Sequence, residues 1–159
     1  MIDSSDQLET LNPYVSRETI KKLSDYRDSI ISAKFNLVSK KDKDHIWIRH
    51  FHDSLRLTKF FEKNPKKMKI LDIGSGAGLP GLPLSMVLDN DLFEFVLCES
   101  NNKKANFIKD CCDRLDISNV QIIKARQKLA DLIVEHFVQI QLLIYYQDLM
   151  LLDFVGSVN

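Results

Sequence analysis

The stretch Ile70-Leu-Asp-Ile-Gly-Ser-Gly-Ala-Gly-Leu-Pro-Gly81 limits the fold more than any other part of this chain. Met68–Ile73 is a short apolar run, and glycines stand at positions 74, 76 and 78 directly after it. Glycine lets a chain turn sharply and lets backbone approach a ligand where a Cβ would clash. Residues 81–88 then read as a helix, so the spacing predicts strand, glycine loop, helix. A helix starting there would aim backbone N–H groups and the positive end of its dipole into the space above the loop. Pro80 suits the first turn of that helix, because the N–H it lacks would have no partner there.

The alternation continues downstream. Phe93–Cys98 (FEFVLC) reads as a second strand, residues 102–115 as a helix, Val120–Lys124 as a third strand and residues 127–136 as a third helix. Strands alternating with helices predict a parallel sheet with right-handed crossovers. Upstream, residues 5–33 show helical spacing through Leu8, Leu11, Val15, Ile20, Leu23, Tyr26, Ile30 and Ile31. Pro13 should divide them into two helices, with Ser16 and Thr19 capping the second. Residues 34–39 read as a connector and residues 43–63 as helical. Asn64-Pro65-Lys66-Lys67 marks a turn. We therefore expect a helical N-terminal extension over residues 1–66 and a sheet domain over 67–159.

Composition narrows the class. The chain has 159 residues, 45% apolar and 28% charged, which fits a globular fold and excludes intrinsic disorder. No apolar run approaches the roughly 20 residues that span a bilayer, and the acidic, polar start MIDSSDQLET does not read as a secretory signal. Cys98, Cys111 and Cys112 form no disulfide framework and no zinc spacing, so free thiols in a reducing cytoplasm are expected, with no metal. The net charge of zero conceals an asymmetry. Residues 1–69 carry 15 Lys and Arg against 10 Asp and Glu, a net of +5, whereas residues 70–159 carry 7 against 12, a net of −5. A basic front suits an anionic partner such as nucleic acid, although a solvated helical face produces the same count.

The glycines satisfy two patterns at once. Gly76, Gly78 and Gly81 fit the G-x-G-x-x-G dinucleotide fingerprint, and Gly74, Gly76 and Gly78 fit the D-x-G-x-G-x-G form of S-adenosylmethionine sites. Because the strand ends at Ile73, Gly74 is the first turn residue and Asp72 sits at the strand's mouth; a dinucleotide register would begin two residues late. Glu99 ends the second strand, where an acid can accept both ribose hydroxyls of an adenosine in either cofactor class. Taken alone, Glu99 would more often be a helix-capping or surface acid; the glycine loop before it favours the functional reading. No Gly-Lys-Ser/Thr follows, so a P-loop is excluded.

These residues resemble the bacterial 16S ribosomal RNA guanine-N7 methyltransferases, also called glucose-inhibited division protein B. The likeness runs through residues 70–84, through Glu99-Ser-Asn-Asn-Lys-Lys104, and through Asn119-Val with Ala125-Arg126. Phe35-Asn-Leu-Val-Ser39 and Ile48-Arg-His-Phe-His-Asp-Ser-Leu55 resemble the family's front segments, so the likeness covers residues 35 to about 130. It implies a Rossmann-like class I methyltransferase sheet behind a helical N-terminal region, with S-adenosylmethionine as methyl donor and 16S rRNA or the small ribosomal subunit as partner. Cofactor contacts are then expected at Gly74, Ser75, Gly76, Gly78, Leu79, Glu99, Gln127 and Lys128, where Lys128 replaces a usual Glu. RNA contacts are expected at Arg49, His50, Lys103, Lys104 and Arg126, in a cytoplasmic monomer.

Arg49 and His50 have a plainer role beside the RNA one. Asp53 stands three or four residues from Arg49 and His50, which suggests a local ion pair. Lys40, Lys41 and Lys43 could follow phosphates or simply be solvated. Lys103 and Lys104 open a helix, where cations sit poorly with the dipole, and that mild misfit points toward a use such as RNA contact. Trp47 reads as a core anchor rather than a stacking platform.

Residues 136–150 depart from the family, which has an Asp-x-(Val/Ile)-x-x-Arg-Ala strand there. Residues 129–159 contain no Lys or Arg, and Leu151-Leu-Asp-Phe-Val155 resembles the family again. The expectation is a chain altered locally, as by paired reading-frame shifts, and then shortened, leaving a sheet incomplete at its C-terminal edge. Guanine N7 carries a free lone pair, so methyl transfer needs orientation rather than an acid–base dyad. Two other readings stand beside the active enzyme: a chain that binds cofactor or RNA weakly without turnover, and an NAD-dependent oxidoreductase.

Overall fold

The computed structural model describes residues 3–61, 67–124, 140–146 and 149–154, the last two stretches as backbone. Helix α1 spans Ser5–Leu11, and its cap Ser4 accepts the Gln7 N–H at 3.2 Å. Helix α2 spans Arg17–Ser32, and Ser16 accepts the Thr19 N–H at 3.1 Å, as the sequence predicts. Its buried face is Ile20, Leu23, Tyr26, Ser29 and Ile30, the three-and-four spacing of an amphipathic helix.

Residues 43–61 are helical but not one helix. A 3₁₀ turn at Lys43–His45 leads into a π-helix at Trp47–His52, followed by short α-helices α3 (Asp53–Leu55) and α4 (Thr58–Phe61). The Asp3 carboxylate accepts the Trp47 and Ile48 N–H groups at 3.2 and 2.9 Å, so α1's approach tethers the start of the wide turn.

Strand β1 is Met68–Ile73, helix α5 is Gly81–Val87, β2 is Phe93–Cys98, α6 is Asn102–Leu115, and β3 is Val120–Ile123. Two further strands follow, β4 at Ile140–Tyr146 and β5 at Leu149–Phe154. The sheet runs β3-β2-β1-β4-β5. β3, β2, β1 and β4 are parallel, with Ile73 beside Cys98 on one side and Ile144 on the other, and β5 is antiparallel to β4.

Strands β4 and β5 correct the sequence expectation, which placed no strand in residues 136–150. A largely apolar run such as Ile140–Tyr146, interrupted only by Gln141, has no period of two, but that is how a strand with neighbours on both sides reads. The expected third helix at residues 127–136 lies outside the described residues.

The chain winds outward from β1 through β2 to β3 and returns to β4 on β1's other side. This reversal leaves a crevice at the carboxyl ends of β1 and β4, where open parallel sheets bind ligands. One face of the sheet supplies Ile70, Phe93, Phe95 and Leu97 to a single core shared with α1, α2, the π-helix, α5 and α6. The other face carries Leu71, Val96 and Cys98 with Ile73 and Ile123 packed beside them. Among the described residues no helix is long and apolar enough to cross a membrane.

Candidate functional site

The loop after β1 occupies the mouth of that crevice. Gly74, Gly76 and Gly78 have φ of +77°, +58° and +99°, the left-handed region that the glycine pattern predicts. The Gly74 and Ser75 N–H groups donate to the Cys98 carbonyl at 2.9 and 3.2 Å, which fastens the loop to the end of β2. Gly78 and Leu79 donate back to the Ser75 carbonyl at 2.7 and 3.0 Å, closing a compact turn.

The four glycines differ in what surrounds them. A Cβ on Gly74 would meet nothing within 4 Å, and one on Gly76 would meet only the Gly74 carbonyl at 3.8 Å. A Cβ on Gly78 would meet Leu82 and the Tyr26 hydroxyl at 3.3 Å. One on Gly81 would lie 2.8 Å from Asp72 Oδ2 and 3.0 Å from Leu97 Cδ1. Gly74 and Gly76 therefore face open space, whereas Gly78 and Gly81 are packing glycines.

Asp72 is fully buried on the core face of β1, and its Oδ2 accepts the Gly81 N–H at 3.1 Å. Burial pushes its carboxyl up to about 7, against the Gly81 and Ser75 hydrogen bonds, which pull it down. Its Oδ1 has no hydrogen-bond partner. The first amide of α5 is thus taken by Asp72, and the Leu82 N–H returns to the Gly78 carbonyl at 2.7 Å. This corrects the expectation that the start of α5 offers its N–H groups to a ligand. Pro80 is also displaced from its expected place: it precedes the helix as its cap, at φ −88° and ψ −3°, and Gly81 is the first helical residue.

Glu99 is buried at the end of β2. Its Oε2 accepts the Gly76 N–H at 2.9 Å and its Oε1 the Asn101 N–H at 2.7 Å. The Ser100 hydroxyl also donates to Oε1, at 3.5 Å, so it is Oε2 that keeps a further acceptor position. Loop and acid, 23 residues apart in sequence, form one hydrogen-bonded unit. Ser75 is buried and turned inward, its hydroxyl donating to the Asp72 carbonyl at 3.0 Å, so its side chain as well as its backbone N–H and carbonyl serve the loop itself. Leu79 is half-buried beside the turn. Gln127, Lys128 and Arg126 lie outside the described residues.

The basic candidates sit elsewhere. Arg49 pairs with Asp42 at 3.0 Å, and His50 Nε2 lies 3.9 Å from the other oxygen of the same carboxylate. Asp53, the expected partner, instead faces Arg56 at 3.6 Å. The π-helix explains the difference: its wider turn shifts the residues that an α-helix would align at four-residue spacing. Burial holds the His50 imidazole below its ordinary range despite Asp42, and the Ser39 hydroxyl lowers Asp42. Lys103 is exposed and Lys104 half-buried at the start of α6, where the Asn101 side chain accepts both their N–H groups, at 2.9 and 3.3 Å. Trp47 is buried edge-on to Phe51, with ring centres 5.4 Å apart, in the core role expected for it.

One contact to the loop carried no signal in the sequence beyond apolar spacing. The Tyr26 hydroxyl of α2 donates to the Ala77 carbonyl at 2.7 Å, 51 residues away. Cys98, Cys111 and Cys112 are buried free thiols. Among the described residues no group of three or more His, Cys, Asp or Glu stands close enough to hold a metal.

Against known proteins, the family described as rRNA small subunit methyltransferase G matches residues 19–139. The chain belongs to that family. A ribosomal RNA small subunit methyltransferase G of Oenococcus oeni is 39% identical over 95 residues, 60% of this chain and 38% of that protein. The protein of the same name from Mycoplasma mycoides subsp. mycoides is 35% identical over 126 residues, 78% of this chain and 89% of that one. Against several other members of the methyltransferase G family the chain spans about half their length. The O-methyltransferase from Bacillus cereus in complex with SAH superposes with a TM-score of 0.57 at 15% identity, over 89% of this chain and 59% of that one. The fold is the Rossmann-like class I methyltransferase fold. Membership in the methyltransferase G family speaks against the oxidoreductase alternative, although Gly81 does stand where a fingerprint's third glycine packs helix on strand.

Proposed function

We propose that this chain transfers a methyl group from S-adenosylmethionine to guanine N7 of 16S ribosomal RNA. The observation that carries the reading is the joining of Gly76 to Glu99 beneath the open space at Gly74. A nucleoside seated there would find backbone it can approach without a Cβ and, on Glu99 Oε2, an acceptor position left for a ribose hydroxyl. Gly74, Ser75, Gly76, Gly78 and Leu79 would line the cofactor as a loop whose N–H groups are already bonded internally and whose open glycines let it approach closely, and Glu99 would hold it through its carboxylate. Gln127 and Lys128 complete the proposed contacts.

S-adenosylmethionine, when bound, supplies an electrophilic methyl on a sulfonium. Guanine N7 presents its lone pair without deprotonation, so this chain's residues need only bind, align and exclude water. That agrees with a loop whose polar side chains all serve its own geometry. Arg49, His50, Lys103, Lys104 and Arg126 are the proposed RNA contacts, in a cytoplasmic monomer acting on the small subunit. The Arg49–Asp42 pair means that a phosphate reaching Arg49 competes with an internal carboxylate.

The test is calorimetric titration of the folded 159-residue chain with S-adenosylmethionine and, separately, with NADH, followed by transfer of a labelled methyl to small-subunit RNA. Micromolar binding of S-adenosylmethionine alone, with label at guanine N7, is expected. Binding without transfer would leave only the cofactor half of the proposal, and no binding by folded chain would overturn it.

A further inference from the structure

We propose that Tyr26 is a positioning residue for the cofactor loop, so that the N-terminal helical extension forms part of the cofactor site's support. The inference rests on the reading of the loop as that site.

Tyr26 stands at the middle of α2 with no solvent exposure. Its hydroxyl donates to the Ala77 carbonyl at 2.7 Å, and a Cβ placed on Gly78 would meet that same oxygen at 3.3 Å. The hydroxyl therefore sits directly on the Ala77–Gly78 peptide, where φ at Gly78 is +99°. The ring is fixed as firmly as the hydroxyl. It stacks on Phe51 of the π-helix, with centres 5.5 Å apart and planes 16° from parallel, and lies 6.4 Å from Phe107 of α6. Phe51 in turn meets Trp47 edge-on.

A tyrosine held this way cannot follow the loop if the loop moves. The Ala77 carbonyl would instead lose its buried donor, and a buried acceptor without a partner is costly. The contact thus selects one loop conformation before any ligand arrives, which lowers the ordering cost of binding. On the far side, Gly76 is held by Glu99 and Gly81 by Asp72. Tyr26 is the tether that comes from the extension rather than from the sheet.

The experiment compares Tyr26→Phe with Ser29→Ala in the full chain. Ser29 lies about one helical turn further along α2, accepts from Arg114 of α6 and makes no hydrogen bond to the loop, so its loss removes a buried α2–α6 link without releasing the loop. Two readouts are taken: the Kd for S-adenosylmethionine by calorimetry, and hydrogen exchange of the Gly78, Leu79 and Leu82 amides by NMR. Tyr26→Phe should raise Kd about fivefold to tenfold, the loss of one buried hydrogen bond, and accelerate exchange at those amides relative to amides in β1. Ser29→Ala should move neither. Equal effects of both variants, after matching for global stability, would make Tyr26 an ordinary core residue and overturn the proposal. The exchange readout needs no cofactor. A wild-type chain that fails to bind S-adenosylmethionine, yet shows loop amides released only by Tyr26→Phe, would sink the cofactor reading while leaving Tyr26 as the loop's tether.

Discussion

Replacing Asp72 by Asn should remove a specific pH dependence from the stability of this chain. Asp72 is fully buried and its carboxyl titrates near 7, because burial penalises the charged form more than the Gly81 and Ser75 hydrogen bonds favour it. In the unfolded chain the same group titrates near its ordinary value of about 3.8. Between those two pH values the folded protein binds a proton that the unfolded chain has lost, so stability falls as pH rises through the window and levels off above about 7. At 1.4 kcal/mol per pH unit the ionised state costs on the order of 4 kcal/mol. Asn keeps an oxygen to accept the Gly81 N–H and cannot ionise. Its amide would occupy the place of Oδ1, which has no partner, at a cost of about 1–3 kcal/mol. That cost is present at every pH and is partly shared by the protonated acid. The quantity to measure is therefore the stability difference between Asp72→Asn and wild type, followed by urea unfolding with the single tryptophan, the buried Trp47, as fluorophore. This difference should climb in the variant's favour by about 4 kcal/mol between pH 4 and pH 8. Contributions from His50 and the surface acids cancel in it. A difference that stays flat to within about 1 kcal/mol over that range would show that Asp72 titrates normally and that the burial argument is wrong.

Glu99→Gln should raise the Kd for S-adenosylmethionine at least tenfold, measured calorimetrically. One of the two N–H groups now facing carboxylate oxygens, Gly76 or Asn101, would meet an amide NH₂ instead. Gly81→Ala should lower the urea stability by about 1–3 kcal/mol, since its Cβ would lie 2.8 Å from Asp72 Oδ2; an unchanged midpoint would mean that α5 can lift away from β1 freely. All three thiols should resist a disulfide exchange reagent at pH 8 in the folded chain and react together in urea. Burial pushes Cys98 and Cys111 up to about 11 and Cys112 to about 12, so the reactive thiolate is scarce as well as inaccessible.

The legible parts of the sequence were those where local chemistry and tertiary structure ask for the same residues. The β1 run and the sharp turn of the three positive-φ glycines follow from local chemistry, and the sheet gives them the place it implied; the acid ending β2 was legible only beside that loop. Residues 43–61 were legible as helical but not as a π-helix, because the side chains that fill a wide turn are the same Trp, Ile and Phe that would fill an α-helix. The Arg49 partner was misread for that reason: four-residue spacing to Asp53 assumes an α-helix, and Asp42 lies outside any helical spacing rule. Strands β4 and β5 were not legible because no glycine loop or helical spacing marks their bounds as the loop after Ile73 marks β1; β1 lies far from β4 in sequence, and β5 stands beside β4 only in the folded sheet. Tyr26 had the spacing of a core residue, which it is; nothing local distinguishes a buried tyrosine that satisfies its hydroxyl anywhere from one that satisfies it on the loop.

The overlapping glycine patterns are resolved by contact rather than by spacing. A pattern written as glycines at fixed intervals treats them as equivalent, but here two of the four exclude a Cβ because protein is already there, and two face space that protein leaves open. The packed pair marks where the loop is held: Gly78 under the Tyr26 hydroxyl and Gly81 on the Asp72 carboxylate. The open pair marks where a ligand's backbone contacts can form, next to the residue that Glu99 fixes. Only the open pair begins at the first residue after β1, and only the register D-x-G-x-G-x-G includes both of its members. Binding strength at such a loop depends on the held pair as much as on the open pair, because each tether removes conformations that a ligand would otherwise have to exclude. Substitutions at Tyr26 or Asp72, neither of which faces the crevice, should therefore act on ligand affinity through the loop's conformation and leave the chemistry of the open face unchanged.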